Sequence, residues 1–199
     1  MTAPAFADPV FQSQAVFRNI MRAMARPGTL VSVGAELVPP APLTPAAAAA
    51  LLTLVDFETP LWIAPSFAAA SGRAVADYLV FHTGAPLARS PDKAAFALVD
   101  LIADELRLAD FAAGTAEYPD RSTTIIAQGA SFGAGAALRL AGPGVDGETE
   151  LQASPLPHDF LAQWGANRAR FPLGVDLILA SESELVGLPR SAAISRETR

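Results

Sequence analysis

The stretch from Gly114 to Gly144, GTAEYPDRSTTIIAQGASFGAGAALRLAGPG, limits the folds open to this chain more than any other segment. It reads as a polar loop to Asp120, a strand over Ser122 to Gln128, a glycine-rich turn over Gly129 to Gly135, and a second strand over Ala136 to Leu140. Thr123, Thr124, Ile125 and Ile126 are β-branched and suit a pleated, half-buried surface. In the second strand Ala136, Leu138 and Leu140 alternate with Arg139, so one face looks inward. Two such strands cannot bury their own apolar face and must pack under helices supplied from elsewhere.

The rest of the chain offers those helices. From Phe11 the apolar residues Phe11, Ala15, Phe17, Ile20, Met21 and Met24 recur at helical spacing until Arg26-Pro27-Gly28, and Pro4 and Pro9 leave the residues before Phe11 as a loose arm. Thr44 is an N-cap with Pro45 at the first helical position, opening a mostly buried helix over Ala46 to Phe57. Further helices are expected over Ser71 to Phe81, closed by His82-Thr83-Gly84, and over Pro157 to Phe171, which carries Phe160, Leu161 and Trp164. Strands are expected at Thr29 to Val33, Thr59 to Ala64, Ala94 to Asp100, Leu151 to Ala153, Leu173 to Ala180 and Leu185 to Pro189. Leu101 to Phe111 reads as a short helix or turn.

Strands alternating with helical segments, plus one hairpin-like pair, give a three-layer α/β fold with a mixed sheet. No internal repeat or long linker divides it, so residues 1–199 are expected to form a single domain, with 1–10 and 191–199 as loose ends.

Composition excludes several kinds of chemistry. There is no cysteine, which removes disulfides, thiolate zinc sites, iron–sulfur clusters and cysteine nucleophiles. The two histidines, His82 and His158, are too few for a histidine-rich metal site. A net charge of −6 gives no basic stripe for a nucleic acid backbone. The longest apolar run, Ala46 to Val55, is too short to span a bilayer, and the N-terminal residues carry Asp8 with no basic-then-apolar pattern. A cytoplasmic protein with no membrane and no nucleic-acid partner is expected. With 51% hydrophobic and 17% charged residues, the chain is more apolar than a free-standing monomer needs, and the surplus suits partner surface.

Several motifs invite a chemical reading. Gly129-Ala130-Ser131-Phe132-Gly133 matches G-x-S-x-G, with Asp146 and His158 in the order of a hydrolase triad. That motif must open a helix, whereas GAGAALRL follows, so a glycine-rich turn is the plainer reading. Gly142-Pro143-Gly144-Val145-Asp146-Gly147 fits G-x-G-x-x-G, but the residues from Glu148 to Gln152 are strand-like and acidic where a dinucleotide site needs a helix N-terminus. Asp56 and Glu58 stand beside a strand start, either as solvated acids or as general acid–base candidates. His82 reads as a helix cap or as a ligand. Arg18, Arg22 and Arg26 form either a solvated flank or a cluster binding an anion or a partner. Arg121, in Tyr118-Pro119-Asp120-Arg121, either pairs with Asp120 or meets a phosphate. Arg26 and Arg121 are the candidate anion-binding residues, and no catalytic or metal-binding set assembles.

Separated pieces of the chain resemble one family. Phe17-Arg18, Ile20-Met21, Ala23-Met24 and Arg26-Pro27-Gly28, then Leu51-Leu52-Thr53-Leu54, Asp56 and Thr59-Pro60-Leu61-Trp62, are similar to the first half of PhnH, a subunit of the bacterial carbon–phosphorus lyase system. Phe81 to Leu87 (FHTGAPL), Leu138-Arg139-Leu140 with Gly142-Pro143-Gly144, Phe171 to Leu179 (FPLGVDLIL) and Leu188-Pro189-Arg190-Ser191 resemble its second half. The resemblance implies a homodimer-forming subunit that joins PhnG-, PhnI- and PhnJ-like chains in organic phosphonate catabolism. Their complex exchanges the adenine of ATP for an alkylphosphonate, giving ribose 1-alkylphosphonate 5-triphosphate, and a separate radical subunit later cuts the carbon–phosphorus bond. It also implies a fold similar to the large domain of pyridoxal-phosphate-dependent transferases, without that cofactor. ATP and phosphonate are then substrates of the complex, and this chain binds no cofactor of its own. A pyridoxal imine needs a lysine, and the single lysine, Lys93, stands in the loop Ser90-Pro91-Asp92-Lys93.

Overall fold

A computed structural model describes residues 5–34 and 36–196. Five α-helices and nine strands follow in chain order: α1 Pro9–Ala25, β1 Leu30–Ser32, α2 Pro45–Leu54, β2 Leu61–Ile63, α3 Pro65–Ser71, α4 Ala74–Thr83, β3 Phe96–Asp100, β4 Thr124–Gln128, β5 Ser131–Ala141, β6 Glu148–Ser154, α5 Phe160–Arg168, β7 Asp176–Ala180, β8 Glu184–Leu188 and β9 Ala193–Arg196. The main sheet is six-stranded, in the order β1-β8-β7-β4-β3-β2, and a second sheet has the order β6-β5-β9. Strands β2, β3, β4 and β7 run parallel, while β8 and β1 are antiparallel to their neighbours, so the sheet is mixed.

Strand periodicity explains why this sheet is covered on both faces. Leu98, Ile126, Ile178 and Leu185 point into a core shared with α1, α2, α3 and α4. Their immediate neighbours Val99, Ile125, Leu177 and Val186 point into the opposite core, roofed by β5, β6 and α5. Near-continuous apolar strands such as LILA are what two buried faces demand. Helix α2 runs through the first core with Ala46 to Leu51 fully buried, and its entry is set as its sequence suggests: the Thr44 hydroxyl accepts from Ala47 N–H at 3.3 Å, with Pro45 at the first position. Gly84 closes α4 in the left-handed conformation.

Five expectations need correction. Ser131 to Gly135, expected as a turn, is the first half of the long strand β5, held by pairing with β6 through an irregularity between Phe132 and Ala137. Strands β4 and β5 therefore do not form a hairpin; they lie in different sheets, and β5 forms its hairpin with β6. The C-terminal residues are not loose as far as they are described, because Ala193–Arg196 pairs with β5. At the other end, α1 begins at Pro9, inside the expected arm, with Asp8 capping it through Phe11 N–H at 3.2 Å; residues 1–4 lie outside the described residues. The helix expected over Ser71 to Phe81 is α4, which starts only at Ala74 because a separate helix, α3, ends at Ser71 with Gly72 as its cap.

Candidate functional site

In α/β sheets the carboxyl ends of parallel strands carry ligand chemistry, so the ends of β3 and β4 are the first place to look. There Asp100 and Gln128 face one another. The buried Gln128 amide accepts from Thr44 N–H at 3.0 Å and donates to the Pro42 carbonyl at 2.9 Å and to Asp100 Oδ2 at 3.0 Å. Asp100 Oδ1 accepts from the N–H groups of Ile102 and Ala103, and Asp104 Oδ2 accepts from Asp100 N–H at 3.1 Å and from the Ser66 hydroxyl at 2.6 Å. Both carboxylates are thus occupied by donors from α3, from β4 and from the end of β3 with the turn that follows it. The cluster fastens the chain at the strand ends, as a satisfied polar network does.

Beside it a cleft of about 570 Å³ opens between residues 105–110 and α5. Gln163 builds its wall: it accepts from Leu108 N–H at 2.9 Å and donates to the Leu106 carbonyl and to Asp159. The Gln163 amide, then a backbone N–H at Asp159 and the neighbouring His158 and Arg107, hold the Asp159 carboxyl below its ordinary pKa. Arg107 forks onto Glu105 at 2.9 and 3.0 Å, and that contact raises its pKa. Arg107 and Arg170 share the cleft with Glu105, Asp110 and Asp159. A triphosphate entering here would meet three carboxylates along with two guanidiniums, so the balance of charge does not favour it.

The residues singled out from sequence lie apart. Arg26 ends α1, exposed, its N–H donating to the Arg22 carbonyl at 3.0 Å. Arg121 makes no ion pair with Asp120 among the described residues; its guanidinium carbon stacks 4.0 Å from the Tyr118 ring centroid. Ser131 opens a strand instead of a helix and pairs with Ser154, and no hydrogen bond joins it to His158 among the described residues. The G-x-G-x-x-G stretch is the β5–β6 turn. Asp56 shapes the entry to β2, accepting from Glu58 N–H at 2.9 Å and the Thr59 hydroxyl at 3.1 Å. His82 packs edge-on to Tyr78 and Phe81 in the last turn of α4. Lys93 is exposed and pairs with Asp92 at 2.9 Å; the Ser90 hydroxyl, followed by Lys93, holds the Asp92 carboxyl below its usual range. No group of three or more His, Asp or Glu side chains is placed to hold a metal among the described residues.

One half-buried ionic cluster escaped the sequence reading. The Arg190 guanidinium forks onto Asp176 at the start of β7, and its Nη1 donates to the Pro119 carbonyl at 2.9 Å. Its Nη2 also donates to the Ser122 hydroxyl. The pair joins the FPLGVDLIL and LPRS segments, with Arg190 N–H on Asp176 Oδ1 at 2.7 Å. The signal was there, an acid and an arginine flanking two consecutive apolar strands, but it has meaning only once β7 and β8 are paired.

The model of the family described as "Bacterial phosphonate metabolism protein (PhnH)" matches residues 4–195. The chain is 40% identical over 193 residues to the Rhizobium meliloti (strain 1021) protein named alpha-D-ribose 1-methylphosphonate 5-triphosphate synthase subunit PhnH, covering 97% of this chain and 95% of that one. It is 34% identical over 194 residues to the Stutzerimonas stutzeri protein named putative C-P lyase subunit protein HtxG, covering 92% and 86% respectively.

Proposed function

Because this chain belongs to the PhnH family of bacterial phosphonate metabolism proteins, we propose that it is an accessory subunit of a phosphonate-to-ATP transferase. In that assembly the adenine of ATP is exchanged for an alkylphosphonate, and this chain contributes shape and contacts while the reacting groups come from PhnG-, PhnI- and PhnJ-like neighbours. The observation that carries the reading is end-to-end similarity to a relative named as a subunit of such a synthase. Its polar clusters add support: Asp100, Asp104, Gln128, Asp176 and Arg190 are engaged with internal partners.

The chain works in the cytoplasm as a homodimer and one domain, and holds no cofactor of its own. Among the described residues no helix is long and apolar enough to cross a membrane, and the surface position of Lys93 suits a protein that forms no imine. A likeness to the large domain of pyridoxal-phosphate-dependent transferases fits the mixed sheet covered on both faces. Reconstitution of the complex with and without this chain tests the function. Ribose-phosphonate formation is expected to stop when the chain is omitted, and the chain alone is expected to turn over no nucleotide. Full activity without it, or turnover by it alone, would overturn the reading.

A further inference from the structure

Helix α1 carries more apolar surface than the fold uses. Its buried side is Val16, Ile20 and Ala23, whereas Val10, Phe17 and Met21 remain 62%, 47% and 51% exposed and fall in one stripe beside it, about a third of a turn round the helix. Phe11, one row over, is 72% exposed. Beside the stripe, Phe17, Gln14 and Arg18 of α1 and Thr53 of α2 line a hollow of about 280 Å³, and the Thr53 hydroxyl oxygen is buried without a hydrogen-bond partner among the described residues.

Charge indicates what covers this face. Arg18 and Arg22 stand one turn apart on the outward side of the helix and Arg26 follows at its C-cap, all three exposed and in no ion pair among the described residues, and α1 contains no acidic residue. The whole chain nevertheless carries −6, so this is a cationic strip on an anionic molecule. A two-fold contact between two copies of α1 would set these arginines against each other with no carboxylate on the helix to answer them. An anionic membrane would be repelled by the rest of the molecule.

Resting on the reading of the chain as a subunit, we propose that the outer face of α1 is the docking surface for a different chain of the assembly, one presenting an apolar ridge bordered by carboxylates. Phe17 and Met21 form the dry centre and the arginines form the rim, which is the usual anatomy of a protein interface. The homodimer contact then lies elsewhere on the molecule.

The test is titration of the purified chain into the tagged remaining subunits, measuring uptake into the complex. The double variant Phe17→Ala/Met21→Ala is expected to bind at least about tenfold more weakly. Arg18→Glu/Arg22→Glu is expected to lose affinity as well, whereas wild-type binding should weaken as salt rises. Ile102→Ala, also at an exposed apolar residue, should bind as the wild type does. All these positions are exposed, so thermal melts should match the wild type. Wild-type uptake with undiminished uptake of both double variants sinks the assignment of this face and leaves the subunit reading intact. No uptake of the wild type sinks both. Dissociation of the wild-type dimer by Phe17→Ala/Met21→Ala, or wild-type binding to phosphatidylserine vesicles that this variant abolishes, would give the face to a second copy or to a membrane and overturn the proposal.

Discussion

Helix α1 comes close to the sheet at Gly187 in β8, and replacing this residue with alanine tests how the helix is seated. A Cβ built there would stand 2.7 Å from the carbonyl carbon of Ala23, 2.8 Å from its oxygen and 2.8 Å from Met24 N. Gly187 does not have a positive φ, so backbone strain plays no part. Relief requires the helix to retreat by roughly 0.7 Å to reach ordinary contact. A gap of that size forfeits a quarter to a half of the dispersion energy along the Val16, Ile20 and Ala23 contacts. Overpacking of this kind costs about 2–3 kcal/mol, since the opposing atoms are backbone and cannot swing aside. For a chain of this size that lowers Tm by about 4–12 °C. Urea unfolding should show a lower midpoint at an unchanged slope. Gly84→Ala is the comparison: φ is +72° there and the nearest atom is an uncrowded 3.5 Å away, so the cost of about 1–2 kcal/mol is conformational alone. Ala23→Gly should fail to rescue Gly187→Ala, because removing the Ala23 side chain leaves the clashing backbone in place. A Gly187→Ala protein as stable as the wild type, or one restored by Ala23→Gly, would refute the seating argument.

Arg190→Ala should destabilise by about 2–4 kcal/mol, less than for a fully buried pair because both side chains keep some solvent contact, and Arg190→Lys should recover only part, since a single ammonium cannot replace the fork; urea midpoints measure both. Asn167→Ala should cost about 2–4 kcal/mol, because its amide alone answers Val175 N–H at 2.8 Å and the Val175 carbonyl at 2.9 Å in a buried site. Burial raises the Tyr78 phenol pKa, so the folded state resists an ionisation that the unfolded chain undergoes near pH 10. Stability is therefore intact below about pH 10 and falls as pH rises beyond it. Tyr78→Phe should flatten that alkaline decline in denaturation midpoints measured from pH 8 to 11, and an unchanged slope would assign it to other groups.

Features encoded by neighbours in sequence were legible. The Thr44-Pro45 helix start and the Gly84 cap depend on residues within one turn, and β7 announces itself by a continuous apolar run bounded by Asp176 and Ser181. Features encoded by distant partners were not. Ser131 to Ala136 is glycine- and alanine-rich, with little strand propensity of its own, and joins β5 through its pairing with β6 at Ser131 and Phe132, before the irregularity that ends at Ala137. Ala193 to Arg196 is short and has a single β-branched residue, Ile194, and it becomes a strand by pairing with β5, more than fifty residues earlier in the chain. The same divide separates Arg190 from Asp176, which meet when β7 and β8 align Leu177 with Leu188. The guanidinium of Arg121 found the Tyr118 ring instead of the adjacent carboxylate, a choice that depends on side-chain geometry.

Helix α1 shows how an apolar pattern can be right about the helix and only partly right about its face. Of the apolar residues at helical spacing, Ile20 is buried and Met24 packs against the core, yet Phe11, Phe17 and Met21 are turned out, and Val16 and Ala23 complete the buried side. The reason lies in the strand beneath: Gly187 lets the helix backbone rest almost on β8, and an interval that narrow admits Ala23 but no aromatic ring. Size is therefore inverted across the helix, with smaller side chains facing the sheet and bulky ones facing outward. Had the fold alone shaped α1, polar residues on the outer face would have cost nothing in stability and reduced the risk of aggregation. Phenylalanine and methionine standing there beside an unanswered row of arginines are accounted for by a contact that the isolated chain does not make.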